Sequence, residues 1–417
     1  MIIDSLKYNG DCSCGKKHYM KTEFCVVSNG CLMEIDKYLA KYGLDQKYTV
    51  AVYDKNTYDA TADRHPKVEK EVILDPTNLH ANEKGVEYLK SFLSDEVELL
   101  IAVGSGTIHD ITRYCAYFMN IDFVSCPTAA SVDGFCSSVA AMTWNGCKKT
   151  LSAVAPKIVV ADIDIIKKAP IYLAKSGFGD MIGKYIALTD WKIGNVLTGE
   201  FYCNKIAQMT MDATEEVLSS IQGIVDGNSQ AYEKLMYGLL LSGLAMQMMG
   251  NSRPASGAEH HISHLIEMSP CGLGIDSNAL HGEKVGVGTL LAIEEYQKLA
   301  KCSKVSFSNY TAFDRSIVIS VFGEKAEEIL KENEKDSASE ITANVLDFYW
   351  RDICREIDKL PNAGYLKSLY QKYGIKSQLS DIGVNEKHIN EILDYSPMVR
   401  NRLTLMRLRR SLNVENY

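Results

Sequence analysis

Six short runs of apolar and β-branched residues punctuate the first 170 positions of the chain: FCVVSNG, YTVAVYDKN, EVILDP, ELLIAVGSG, DFVSCPT and KIVVADIDI. Turn-forming residues bound them, and stretches with apolar positions at helical spacing lie between. This alternation predicts βαβ units around a parallel sheet. After Ala169-Pro170 the strand signals stop. Segments such as FYCNKIAQMTMDATEEVLSSI and VGVGTLLAIEEYQKLA repeat apolar residues every three or four positions, which predicts helices. The expected fold class is therefore α/β plus all-α, with a Rossmann-like nucleotide-binding domain over residues 1–170 and an all-helical domain over residues 171–417. Neither half carries a long Gly/Ser/Pro linker, so a tight interface with a cleft is expected at the junction.

Composition narrows the picture. At roughly 150 residues per domain, a chain of 417 residues amounts to about 2.8 domains, so two domains of moderate size are expected and one small domain is excluded. With 46% hydrophobic and 24% charged residues it is an ordinary globular mix, neither disordered nor coiled coil. A net charge of −8 without a basic stripe argues against nucleic acid and leaves a small anionic substrate open. The richest apolar stretch, KLMYGLLLSGLAMQMMGN, is broken by glycines and reads as a buried helix, with no membrane insertion. The twelve cysteines are scattered, and MIIDSLKYNGD lacks a basic-then-apolar leader, so a reduced cytoplasmic protein is expected. In DCSCGKKH, Cys12, Cys14 and His18 are of metal-binding type, but no second C-x2-4-C pair stands nearby and the segment reads as a surface loop or short hairpin. Near the C-terminus Arg400, Arg402, Arg407, Arg409 and Arg410 interleave with Leu403, Leu405, Met406 and Leu408. That pattern predicts a terminal helix with a solvated or subunit-facing basic side.

Chemistry enters at ELLIAVGSGTIHDITRY, where a buried strand runs through Gly104-Ser105-Gly106-Thr107 into a helix beginning near Ile108. Glycines let the backbone approach an anion, and the first N–H groups of the helix point at it, so the turn suits a pyrophosphate. Asp54 ends an upstream strand, where a carboxylate accepts hydrogen bonds from ribose hydroxyls and repels a 2′-phosphate, or simply forms a turn. Downstream, Cys126-Pro127-Thr128-Ala129-Ala130-Ser131-Val132-Asp133 offers small residues for a flat ring, Thr128 as a hydroxyl donor, and Asp133 to hold a substrate hydroxyl.

The helical half holds groups suited to a divalent metal. Asp180 lies in GFGD as a helix starts, His260, His261 and His264 crowd into EHHISH, and His281 precedes another apolar helix. On a helix His260 and His264 share one face, while His261 turns about 100° away and is a bystander. One carboxylate with two imidazoles leaves positions open for substrate oxygens, as a catalytic site requires.

GSGTIHD, SCPTAASVDG, KKTLSAVAPKIVVADIDI, GFGDMIGKYIALTDW, SRPASGAEHHISHLIE and LHGEKVGVG, in this order, closely resemble the bacterial sn-glycerol-1-phosphate dehydrogenases of the AraM type. They are more distantly similar to glycerol dehydrogenases, iron-containing alcohol dehydrogenases and dehydroquinate synthases. The resemblance covers roughly residues 10 to 400 and extends to the Cys12-x-Cys14-Gly-x-x-His18 opening. It implies a dehydroquinate synthase-like fold that binds NAD(H) or NADP(H) and one divalent metal ion: zinc, nickel or iron. By position in the motifs, it implies Asp180, His260 and His281 as metal ligands. It also implies Gly104, Ser105, Gly106, Thr107, Asp54, Thr128 and Ser137 as nucleotide contacts, with Asp110 and Ser131 grouped among them. Asp133 falls beside substrate and nicotinamide, His264 matches a substrate-contacting histidine, and Asp180 counts as substrate-binding as well. Dehydroquinate synthases have Glu as first ligand and V-G-G-K-T after their PTT-Q-V-D, where this chain has Asp180 and Gly134-Phe135-Cys136-Ser137-Ser138. Lys149, Lys184, Arg253 and Lys284 lie beside motif residues, and any one could hold a substrate phosphate. The implied reaction is reversible NAD(P)H-linked reduction of dihydroxyacetone phosphate to sn-glycerol 1-phosphate, feeding phospholipid backbone synthesis, by a homo-oligomer of two or more chains. The alternatives are a glycerol or other polyol dehydrogenase on the same fold and a catalytically silent nucleotide-binding protein.

Overall fold

The computed structural model describes residues 1–145, 147–268, 272–302 and 305–414. The chain divides into two compact units. It leaves the first after Met181 and returns to it for Glu215–Asn251, and residues 182–214 with 252–417 make the second.

The first unit is built on a seven-stranded sheet. Its strands run, in spatial order, Ile2–Asp4, Phe24–Ser28, Ile158–Asp162, Asp122–Pro127, Leu99–Gly104, Thr49–Asp54 and Lys70–Leu74. All pairs are parallel except the edge pair formed by Ile2–Asp4. The five central strands are apolar on both sides because both faces are covered, as parallel sheets require. Residue alternation divides them. Val50, Val52, Leu100 and Ala102 pack on one side with Val86, Leu89, Ile108 and Ile111, whereas Ala51, Tyr53, Leu99, Ile101 and Val103 pack on the other with Leu32, Ile35 and Leu39. The six predicted strands all form. A hairpin of Val139–Trp144 and Cys147–Ser152 also forms, for which the sequence reading had no strand.

Two helices bear on the stretch that follows Pro127. Ser176, in the helix Ile171–Ile182, gives its hydroxyl to the Ser131 carbonyl at 3.1 Å. Gly177 beside it is a glycine because a Cβ would stand 2.1 Å from the Ala130 carbonyl oxygen. In the helix Ser229–Met249, the hydroxyl of Ser242 donates to Asp133 at 2.8 Å, and a Cβ on Gly243 would stand 2.8 Å from the Asp133 carbonyl. The same helix corresponds to the apolar KLMYGLLLSGLAMQMMGN stretch. It is largely buried, and no helix among the described residues is long and apolar enough to cross a membrane.

The second unit is helical as expected, with one short addition that the sequence reading had not foreseen: Val305–Phe307 pairs antiparallel with Leu412–Val414. Its helices Ala258–Met268 and His281–Lys301 pack closely, because Gly288 lets the Glu259 carbonyl come within 2.7 Å of where a Cβ would be. Among the C-terminal arginines one departs from expectation. The helix is short, Leu405–Leu408, and Arg410 after it is exposed, but Arg407 is fully buried, with its guanidinium paired to Asp336 at 2.8 Å and donating to the Pro397 carbonyl at 2.8 Å. A buried guanidinium needs such partners, and Asn333 supplies another.

His109 illustrates the same rule in the first unit. Its Nδ1–H donates to the Ser105 carbonyl at 2.9 Å and its Nε2 accepts from the Ser125 hydroxyl at 2.8 Å. Burial, with Arg113 nearby, lowers its pKa from 6.5 to about 3, so the folded protein keeps it neutral. The unfolded chain binds a proton below pH 6.5 that the folded chain refuses, so this residue's contribution is intact above pH 6.5 and declines as pH falls toward 3. Between pH 6.5 and 5 the loss is about 2 kcal/mol. Urea midpoints measured across that range should fall less steeply for His109→Gln than for the wild type; equal slopes would contradict the assignment.

Candidate functional site

In the first unit the sequence-predicted nucleotide residues gather at the carboxyl edge of the sheet, the usual ligand-binding edge of an open parallel sheet. Gly104 and Pro127 are register partners at the ends of neighbouring strands, and the Thr128 N–H donates to the Gly104 carbonyl at 2.9 Å. The helix Gly106–Met119 follows at once, starting two residues earlier than expected, and no side chain caps its first N–H groups. The two glycines differ in role. Gly104 is imposed by packing, since a Cβ there would stand 2.6 Å from Ile108, whereas a Cβ on Gly106 would meet nothing nearer than Val132 at 4.0 Å. Uncapped N–H groups beside open space make an anion cradle.

Asp54 ends its strand and caps the helix Lys55–Thr61. Its carboxylate accepts the Thr57 N–H at 2.8 Å while the Thr57 hydroxyl accepts the Asp54 N–H at 3.0 Å. The turn-forming role is thus real, and it fixes the carboxylate at the sheet edge. Asp110 and Ser137 are turned to neighbouring structure. Burial raises the Asp110 pKa to about 6, opposed by Arg113 and by the Ala141 N–H, and the Ser137 hydroxyl accepts the Val139 N–H at 3.0 Å. Arg113, missed in the sequence, organises this region: fully buried, it donates to the carbonyls of Phe135 and Ser137 at 3.2 and 3.0 Å. Asp133 lies in the segment so held. Its N–H donates to the buried carboxylate of Asp180 at 2.9 Å, so the predicted substrate and metal carboxylates are neighbours.

In the second unit three imidazoles converge. The rings of His260, His264 and His281 stand 5.3–5.9 Å apart, while His261 faces elsewhere and is wholly buried. Carboxylates hold them. His260 Nδ1 bonds Glu259 Oε1 at 2.7 Å, His264 Nδ1 bonds Glu267 Oε2 at 3.1 Å, and His281 Nδ1 bonds Glu267 Oε1 at 2.9 Å. A carboxylate accepting at Nδ1 fixes the tautomer with its lone pair on Nε2, the arrangement that prepares a histidine to ligate metal. Burial alone would raise the Glu267 pKa, but His281 and His264 hold it well below the ordinary carboxylate range. Burial raises Glu259 to about 7, and its Oε1 also accepts the Gly257 N–H at 2.9 Å. Neither glutamate was singled out in the sequence. The signal available was Glu267 at i+3 from His264, on the same helix face.

Two of the four phosphate candidates have their polar atoms committed nearby. Arg253 donates Nε to Glu200 at 2.7 Å and Nη1 to the Leu403 carbonyl at 2.8 Å, and buried Lys184 donates to the Ala255 carbonyl at 3.2 Å.

Residues 26–170 match the iron-containing alcohol dehydrogenase family. A glycerol-1-phosphate dehydrogenase [NAD(P)+] of Bacillus licheniformis is 31% identical over 96% of this chain and 92% of its own length. The enzyme of that name from Halalkalibacterium halodurans is 30% identical over 97% of both chains. Among solved structures, a probable glycerol dehydrogenase from Sinorhizobium meliloti shares the fold, with a TM-score of 0.58 at 17% identity over 90% of this chain and 88% of its own. With likeness to named enzymes along its whole length, the chain belongs to the glycerol-1-phosphate dehydrogenase [NAD(P)+] family of oxidoreductases.

Proposed function

We propose that the protein reduces dihydroxyacetone phosphate to sn-glycerol 1-phosphate with NAD(P)H, reversibly, and so supplies a phospholipid backbone. The observation that carries this is the full-length likeness to glycerol-1-phosphate dehydrogenases [NAD(P)+], joined to histidines whose Nδ1 positions are all taken by carboxylates. Three imidazoles whose rings stand 5.3–5.9 Å apart, each with Nδ1 held by a carboxylate, are a donor set that fits a borderline divalent cation such as zinc, nickel or iron. Asp180, His260 and His281 would hold that cation. Bound there, the cation would supply Lewis acidity toward the substrate carbonyl, and a bound nicotinamide would supply the hydride.

The remaining work falls to the chain. The helix start at Gly106 cradles the cofactor pyrophosphate, Thr107 and Thr128 add hydroxyls, and Ser131 lines the same stretch. Asp54 accepts the ribose hydroxyls, which favours NAD(H) over NADP(H). His264 Nε2 and Asp133 contact the substrate oxygens. Ser242 and the helix Ile171–Ile182 keep Asp133 from drifting, so the substrate is oriented before hydride arrives. In this reading residues 1–170 provide the nucleotide contacts, and residues 171–417 provide the metal and, with Asp133, the substrate contacts. This reading takes the enzyme to be a cytoplasmic homo-oligomer.

Steady-state kinetics separate this substrate from a plain polyol. kcat/KM for dihydroxyacetone phosphate should exceed that for dihydroxyacetone by at least ~100-fold, since losing charge-assisted phosphate contacts costs several kcal/mol. Equal values would favour a polyol dehydrogenase. His281→Ala should remove both activity and catalytic metal while leaving the circular dichroism spectrum unchanged, and a metal-stripped variant with full turnover would sink the ligand assignment. Glu267→Gln should weaken metal binding by about 10–100-fold, because the ligating ring of His281 loses the partner that sets its tautomer. Chelator competition measures this, and an unchanged affinity would contradict it.

A further inference from the structure

The N-terminal segment DCSCGKKH forms the short hairpin allowed by its sequence, with Gly10 paired to His18 and Asp11 to Lys17. Its loop is closed by Cys12 N–H to Lys16 carbonyl at 3.0 Å and Gly15 N–H to Cys12 carbonyl at 2.9 Å, with Gly15 at φ +84°. The loop is not merely a surface turn. The sulfurs of Cys12 and Cys14 and a ring nitrogen of His18 lie within 4.8 Å of one another, and neither thiol is in a disulfide. Tetrahedral zinc, with bonds of ~2.3 Å to sulfur and ~2.0 Å to nitrogen, sets its ligand atoms roughly 3.5–3.8 Å apart.

A second observation concerns the imidazole. His18 is buried, at 3% exposure, and its Nδ1–H donates to the Met248 carbonyl at 2.8 Å. Met248 closes the helix Ser229–Met249, where carbonyls lack intrahelical partners and carry the negative end of the helix dipole. That bond leaves the Nε2 lone pair directed at the Cys14 sulfur, 3.1 Å away. A backbone carbonyl on one ring nitrogen and soft ligands on the other is the usual outer support of a metal-bound histidine.

We propose that Cys12, Cys14 and His18 hold a divalent zinc ion of their own, separate from the catalytic centre. Two thiolates and a neutral imidazole balance the charge of the ion, and binding releases the two thiol protons to solvent. Water completes the tetrahedron of the neutral site, or a third thiolate does so with release of a third proton. The ion's role is structural. It pins the hairpin to the end of a helix whose Gln247 takes the N–H groups of Lys21 and Thr22 and gives its amide to the Thr22 hydroxyl and the Cys136 carbonyl. The hairpin is thereby tied to the segment that presents Asp133. The sequence alone argued against such a site because it has one C-x-C pair and no second. The missing support comes from Met248, 230 residues away.

The test uses the full-length chain carrying His281→Ala, which on the reading above lacks catalytic metal. Metal analysis should find about one zinc per chain, and none when Cys12→Ser and Cys14→Ser are added. Cobalt loading of the same protein should give thiolate-to-cobalt charge-transfer absorption, which Asp180, His260 and His281 cannot produce because none offers sulfur. A failure of the ligand assignment at the catalytic centre would thus show as extra cobalt without added charge transfer, leaving this proposal separately decided. Should the serine variant not fold, alkylation decides: Cys12 and Cys14 should react with iodoacetamide at least tenfold more slowly before chelation than after. No charge-transfer band, equal alkylation rates, or a Cys12–Cys14 disulfide in protein purified under reducing conditions would overturn the proposal.

Discussion

Everything proposed for the catalytic centre depends on carboxylates accepting hydrogen bonds from the Nδ1–H groups of three imidazoles. Without Glu259 and Glu267, His260, His264 and His281 would choose their tautomers and rotamers individually, and packing three basic rings 5.3–5.9 Å apart would favour none in particular. With them, each ring is fixed and presents Nε2. Burying a carboxylate is costly unless its oxygens are matched, and Glu267 meets this by accepting from two histidines at once. The tight approach of helices Ala258–Met268 and His281–Lys301 at Gly288 allows both histidines to reach one carboxylate.

The first unit solves a related problem with backbone groups. A stretch of small residues after Pro127 must lie open to a ligand and yet not wander. Arg113 holds its carbonyls from one side, while Ser176, Gly177, Ser242 and Gly243 fit against it from two helices, with a side chain excluded wherever the backbone comes closest. Asp133 is therefore positioned by at least three elements distant in the sequence. This also explains why Ile171–Met181 and the helix Ser229–Met249 belong with the sheet, although both lie beyond the last strand signal.

Much of this was legible in the residues. The central strands announced themselves because a sheet covered on both faces must be apolar on both faces, and the phosphate-type turn because strand, glycines and helix adjoin in sequence. The hairpin Val139–Trp144 with Cys147–Ser152 did not, since buried Ala140 and Met142 alternate with exposed Val139 and Ala141 and its second strand carries lysines. The ribbon of Val305–Phe307 and Leu412–Val414 joins segments more than a hundred residues apart, which no local pattern reveals. Arg407 was read onto a solvated or subunit-facing side because arginine is rarely buried; only Asp336, Asn333 and Pro397, brought to it by folding, make its burial possible. The histidines were visible, whereas their carboxylate partners became meaningful only once their geometry was known.

The most direct test of the account follows turnover and metal in one sample. Purified protein is stripped by a chelator that leaves it folded, and NADH oxidation by dihydroxyacetone phosphate is recorded as zinc, nickel or iron is returned. The account predicts that activity disappears with the metal and returns as the site refills. Undiminished reduction of dihydroxyacetone phosphate by the metal-free protein would contradict it.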